Sequence, residues 1–167
     1  ISDRIEYEIA SFLNAVSSDE VSEKTSKEIK AMYKVIGELE SLGDSGEAIS
    51  RILSRRNIHK KEFDANSIKK LNLMVDLVEQ AYDVMINNLE AAFYGKLEEI
   101  SNAYAAEDHI NTLRNNLRDE AIERLDSNEK TYQSSVYFMD IVSELERMGD
   151  FMINISQSLQ RGYSIAK

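Results

Sequence analysis

An all-α fold, an up-down antiparallel bundle of about five long helices, is predicted by three observations. The 167 residues contain no proline and only six glycines, too little turn punctuation for sheets. Apolar residues recur at helical spacing throughout. No segment alternates apolar and polar residues as a strand would. At 43% hydrophobic the chain can bury one sizeable core, and its length suggests a single domain, 1–167.

The first helix is predicted from about Ser2 to Val16, with Ile5, Ile9, Phe12, Leu13 and Val16 on one face. Ser17-Ser18-Asp19 breaks it. Ser22 is the expected N-cap of a second helix reaching about Arg56, with the stripe Ile29, Met32, Ile36, Leu39, Gly43, Gly46 and Leu53. Asp64 or Asn66 caps a third, carried by Leu71, Met74, Val75, Val78, Tyr82, Met85 and Leu89 and ended at Gly95. A fourth runs from about Leu97 to Leu125 and a fifth from about Ser127 to Gln160. Rods of this length, about 45 Å at 1.5 Å per residue, pack as antiparallel neighbours when joined by short turns.

The chain repeats itself. Residues 38–44 read E-L-E-S-L-G-D and residues 144–150 read E-L-E-R-M-G-D, five of seven identical at an offset of 106. Ile49-Ser50 recurs as Ile155-Ser156, and Ser22-Glu23-Lys24-Thr25 aligns with Asn128-Glu129-Lys130-Thr131. The offset places the counterpart of the third helix before residue 1. The reading is therefore an incomplete first unit, 1–61, and a complete second unit, 62–167. The chain starts at Ile1 without an initiator Met, so a longer natural protein is expected.

The doubled signature, Glu40-Ser41-Leu42-Gly43-Asp44 and Glu146-Arg147-Met148-Gly149-Asp150, resembles the ERIGD-type motif of PhoU domains, tandem three-helix repeats that regulate phosphate uptake. The resemblance covers essentially the whole chain. Within the family, the run Ile5 to Leu13 followed by Met32 to Asp44 is most similar to the cytoplasmic tail of bacterial sodium–phosphate cotransporters. The resemblance implies a non-catalytic regulatory domain, cytoplasmic and tethered to the inner membrane in the full-length protein. Its implied partners are the transporter membrane domain or other phosphate-transport machinery. A free-standing PhoU-type regulator and a generic helical adaptor or dimerisation domain are the alternatives.

Glu40 and Asp44, four residues apart, share a helix face, as do Glu146 and Asp150. Like charges at that spacing cost about 0.2–0.5 kcal/mol, so a repeated pair calls for a neutralising partner. A cation held by oxygen ligands would serve, as would Arg or Lys from a neighbouring helix. The resemblance implies a divalent or iron-type metal ion (Fe, Mn, Ni or Zn) on Glu40, Asp44, Glu146 and Asp150. It also implies acidic helpers on the preceding helix, at positions held by Asp3 and Glu6 in the first unit and occupied by Asn111 and Arg114, with Glu107 one turn earlier, in the second. Arg114 departs from the acidic pattern and can neutralise Glu146 or Asp150 without metal. Glycine inside a helix costs about 1 kcal/mol relative to Ala, so Gly43 and Gly149 predict close approach of another helix.

Composition excludes several functions. With no Cys there is no disulfide, thiolate site or Cys nucleophile, which fits a reducing compartment. A net charge of −10 argues against a nucleic-acid binder. No window is apolar enough to span a membrane. A di-iron enzyme would need Glu-x-x-His, but Arg56 and Ala106 stand three residues before His59 and His109, which read as surface histidines. No P-loop, G-x-S-x-G or dinucleotide fingerprint occurs either, and no enzyme is expected. No motif gathers the Arg, Lys or backbone N–H groups that a phosphate site needs. The basic cluster Arg51, Arg55, Arg56, His59, Lys60 and Lys61 reads as neutralisation of a helix end in preference to a membrane contact. Met139, Met148 and Met152 read as core filler. The exposed apolar surface expected where the first unit lacks a helix predicts self-association, most simply a homodimer.

Overall fold

The computed structural model describes residues 1–18, 20–127 and 132–163, with the backbone alone at 124–127. Five helices appear in order, α1 Ser2–Ser17, α2 Glu23–Ile58, α3 Ala65–Phe93, α4 Ser101–Ser127 and α5 Tyr132–Tyr163, and the described residues contain no strand. Two starts follow from local chemistry. The Ser22 side chain accepts from the Thr25 amide at 3.1 Å, and that of Asp64 accepts from the Ser67 amide at 2.6 Å. α3 stops in a Schellman turn: Gly95 takes φ +64°, the Lys96 amide reaches the Ala91 carbonyl at 2.7 Å and the Gly95 amide reaches Ala92 at 3.0 Å. α2 stops the same way, with Lys60 at φ +51° and the Lys61 amide on the Arg56 carbonyl at 3.1 Å.

α4 begins four residues later than its apolar pattern predicts. Leu97 and Ile100 are deeply buried without being helical; they plug the end of the bundle as the chain turns after Gly95. The Ile100 carbonyl then accepts from the Ala103 and Tyr104 amides and starts the helix. α4 runs on to Ser127, past its expected end at Leu125 and through the expected start of the fifth helix, and residues 128–131 lie outside the described residues.

α5 is the hub. It packs against α2, α3 and α4; α3 also packs on α4, and α1 touches only α2. The pairs that fix direction are Ser2 with Gly43 for α1–α2, Ser45 with Glu144 and Asn154 with Glu38 for α2–α5, and Arg114 with Glu146 for α4–α5. With the Asn88–Asn102 bonds between α3 and α4, the α1–α2, α3–α4 and α4–α5 hairpins are antiparallel. The main core runs through α3, α4 and α5, around Met74, Met85, Ile110, Val142 and Ile155, and takes Val35 and Ile52 from α2. A smaller core of Leu13, Ile29 and Ile36 joins α1 to α2.

The predicted stripes of α1 and α2 need correction. α2 lies between α1 and α5, so it buries two faces: Ile29 and Ile36 towards α1, and Val35 and Ile52 towards the main core. Met32, Leu39 and Leu53 fall between those faces and are exposed, as are Ile5, Ile9 and Phe12 on α1. In α3, Val75 and Tyr82 are likewise exposed. The offset of 106 explains the α2 residues. Their counterparts Phe138, Leu145 and Leu159 are buried in the core to which α3 contributes, whereas among the described residues only α1 and α5 pack on α2.

Candidate functional site

The two E-L-E-x-x-G-D segments lie side by side on antiparallel α2 and α5, and each glutamate has a distinct task. The first of each motif ties the seam between these helices: Glu38 accepts from the Asn154 side-chain Nδ2 at 3.2 Å, and Glu144 accepts from the Ser45 hydroxyl at 2.9 Å. This pair of bonds escapes a reading of either motif alone, because it depends on the α2–α5 register. The second glutamate and the aspartate of each motif face the hairpin partner, α1 in the first unit and α4 in the second.

The glycines bring those partners close. A Cβ on Gly43 would lie 3.3 Å from the Ser2 Cβ, and one on Gly149 would lie 2.9 Å from Ile110 Cδ1. Gly46 has open space. Ser2 thus sits on Gly43 as Ile110 sits on Gly149, and the same register sets Asp3 opposite Asn111 and Glu6 opposite Arg114.

In the first unit Asp3, Glu40 and Asp44 each place a carboxylate oxygen within 4.8 Å of the others. Glu6 comes close to the same helix face, its Oε1 lying 3.8 Å from where a Gly37 Cβ would sit. None of the four is in an ion pair among the described residues; the Ser2 hydroxyl donates to Asp3 at 3.1 Å. Glu40 is pushed above the usual carboxylate range, first by loss of hydration and then by the negative charges of Asp44, Glu6 and Asp3. The donor set is all carboxylate oxygen, without His, and fits a hard divalent cation.

The second unit carries its own partial counter-charge. Arg114 donates to Glu146 at 2.6 Å, and Asn111 donates to Glu107. Asp150 remains raised by burial and by Glu146 and Glu107, against the lowering pull of Arg114 and Arg147. Glu146 and Asp150 are therefore together, as the repeat predicts, but their neighbour is a guanidinium where the first unit has Glu6.

The remaining candidates are structural. His59 Nδ1 lies 2.5 Å from the Tyr137 hydroxyl, Arg51 pairs with Glu47 at 3.2 Å, and the Arg56 guanidinium stacks over Phe63 at 4.7 Å. Half of the basic cluster is thus engaged locally. Met152 is buried in the core, and Met139 and Met148 are packed against it.

A family model described as PhoU domain matches residues 71–159, more than half of the chain and spanning most of α3, all of α4 and most of α5. Neither the curated proteins nor the solved structures give a significant match to the chain.

Proposed function

The chain belongs to the PhoU domain family, and from that premise we propose that it is a non-catalytic regulatory domain of phosphate uptake whose first unit holds a divalent cation. The family match supports a regulatory role in phosphate transport. The resemblance of the α1 and α2 segments to the tail of sodium–phosphate cotransporters supports the finer reading, in which the transporter membrane domain is the partner. No helix among the described residues is long and apolar enough to cross a membrane. The test is phosphate uptake in cells whose full-length protein lacks residues 1–167. The reading expects uptake to lose its response to external phosphate, and an unchanged response would contradict it.

The observation that carries the cation site is the contrast between the units. At equivalent places on one repeated framework, α4 supplies Arg114 to the acid pair, whereas α1 supplies Asp3 and Glu6. Asp3, Glu40 and Asp44, with Glu6 beside them, would hold the ion. Its positive charge would hold α1 against α2 across Gly43, as the Arg114–Glu146 pair holds α4 against α5. Glu146 and Asp150 need no metal in this reading, and Glu107 serves as the acceptor for Asn111.

Self-association is a second element of the proposal, favoured by the exposed Ile5, Phe12, Met32 and Leu39. Large apolar side chains left exposed on two packed helices offer an interaction surface.

A further inference from the structure

At the end of the bundle where α2 begins and α5 ends, a cavity of 230 Å³ is lined by Lys27, Lys30 and Lys34 of α2 and Arg161 of α5. No carboxylate lines it. The three lysines stand at i, i+3 and i+7, which puts them on one helix face. Arg161 joins them because α2 and α5 approach there with almost no side chain between them: a Cβ on Gly162 would collide with that of Ala31. Sequence spacing alone cannot reveal this convergence, since residues 27–34 and 161 meet only through the antiparallel register.

The cations are not there to satisfy the protein's own acids. Among the described residues Lys30, Lys34 and Arg161 make no ion pair, and Lys27 pairs with Glu23 at 2.8 Å. The other nearby acid on α2, Glu28, is engaged by Lys24 at 3.8 Å. Nor does the helical framework call for them. At the offset of 106 the counterparts of Lys27, Lys30 and Lys34 are Gln133, Val136 and Asp140. In a chain of net charge −10, the three cations of this concavity that make no ion pair, Lys30, Lys34 and Arg161, repel one another and are relieved by an anion.

We infer that this cavity binds a small oxyanion of the phosphate class. Its volume lies below the range of about 300–1,000 Å³ typical of sites for drug-sized ligands, which favours an inorganic anion or a single phosphoryl group over a nucleotide. Ammonium and guanidinium donors supply the charge-assisted hydrogen bonds that such an oxyanion takes. The site is separate from the acidic cluster and does not depend on a cation there.

The test is titration of the full chain with inorganic phosphate at low ionic strength, by calorimetry and by amide chemical shifts. The expected result is saturable binding that moves amides at 27–34 and 158–162. It should weaken about tenfold or more in Lys30→Gln, Lys34→Gln, Arg161→Gln, and stay unchanged in Lys60→Gln, Lys61→Gln. All of these residues except Lys61 are well exposed, so the variants should fold. A parallel arm uses vesicles containing phosphatidylglycerol: binding that requires the same three residues, with no response to free phosphate, identifies a lipid headgroup as the phosphoryl source. The inference is overturned if chloride at matched ionic strength gives the same response. It is equally overturned if the triple variant binds phosphate and vesicles as the wild type does.

Discussion

Replacing Gly149 by Ala tests the packing of α4 on α5 at the point where the second motif sits. The added methyl would lie 2.9 Å from Ile110 Cδ1 and 3.4 Å from its Cγ2, and Ile110 is fully buried and unable to swing into solvent. Overpacking of this kind costs about 1–3 kcal/mol. Exchanging a mid-helix Gly for Ala returns about 1 kcal/mol. The net expectation is a loss of about 0–2 kcal/mol, or a few degrees in Tm for a chain of this size. Gly46→Ala meets nothing within 4 Å and should show the propensity term alone, a gain of about 1 kcal/mol. The decisive arm removes the clashing atom. Ile110→Val costs about 0.5–1.5 kcal/mol by itself, yet in that background Gly149→Ala should be neutral or stabilising. Urea denaturation of the four proteins in the cycle reads the coupling, expected at about 0.5–2 kcal/mol. Strict additivity, or a Gly149→Ala variant as stabilised as Gly46→Ala, would refute the close approach.

Two further outcomes follow from the charges and the exposed face. Asp150 titrates above its ordinary value in the folded state, so folding takes up a proton between the two values and its ionised form costs stability at neutral pH. Asp150→Asn should therefore stabilise the protein at pH 7, and the gain should shrink as pH falls through the raised value; a gain independent of pH would contradict the electrostatic cause. On the α1–α2 face, Phe12→Glu with Leu39→Glu should shift sedimentation towards monomer with little loss of helix, since both residues are exposed. An unchanged mass distribution would remove this face as a surface for self-association.

Much of the fold is legible in the chain because its punctuation is local. Ser22 and Asp64 cap helices through their own side chains, and Gly95 takes the positive φ that ends α3. The α2 stop is harder to read, since Lys60 occupies the left-handed position that usually marks itself with Gly. The start of α4 is misplaced for a related reason: Leu97 and Ile100 fit a helical stripe although they are buried as plugs. Apolar spacing also cannot say that α2 serves two cores, and so it counts Met32, Leu39 and Leu53 as buried. At the site, the doubled motif discloses both acid pairs and the anomaly of Arg114. The seam bonds of Glu38 and Glu144, and the meeting of Lys30 and Lys34 with Arg161, depend on the register of α2 against α5 and are visible only in three dimensions.

The central claim is that two equivalent acid pairs meet different counter-charges, a bound cation in the first unit and Arg114 in the second. Calorimetric titration of chelator-stripped protein with Mn²⁺ tests it most directly. The account predicts one saturable site, lost in Glu40→Gln with Asp44→Asn, retained in Glu146→Gln with Asp150→Asn, and joined by a second site in Arg114→Glu. No saturable binding to the wild type, or equal loss in both paired variants, would contradict it.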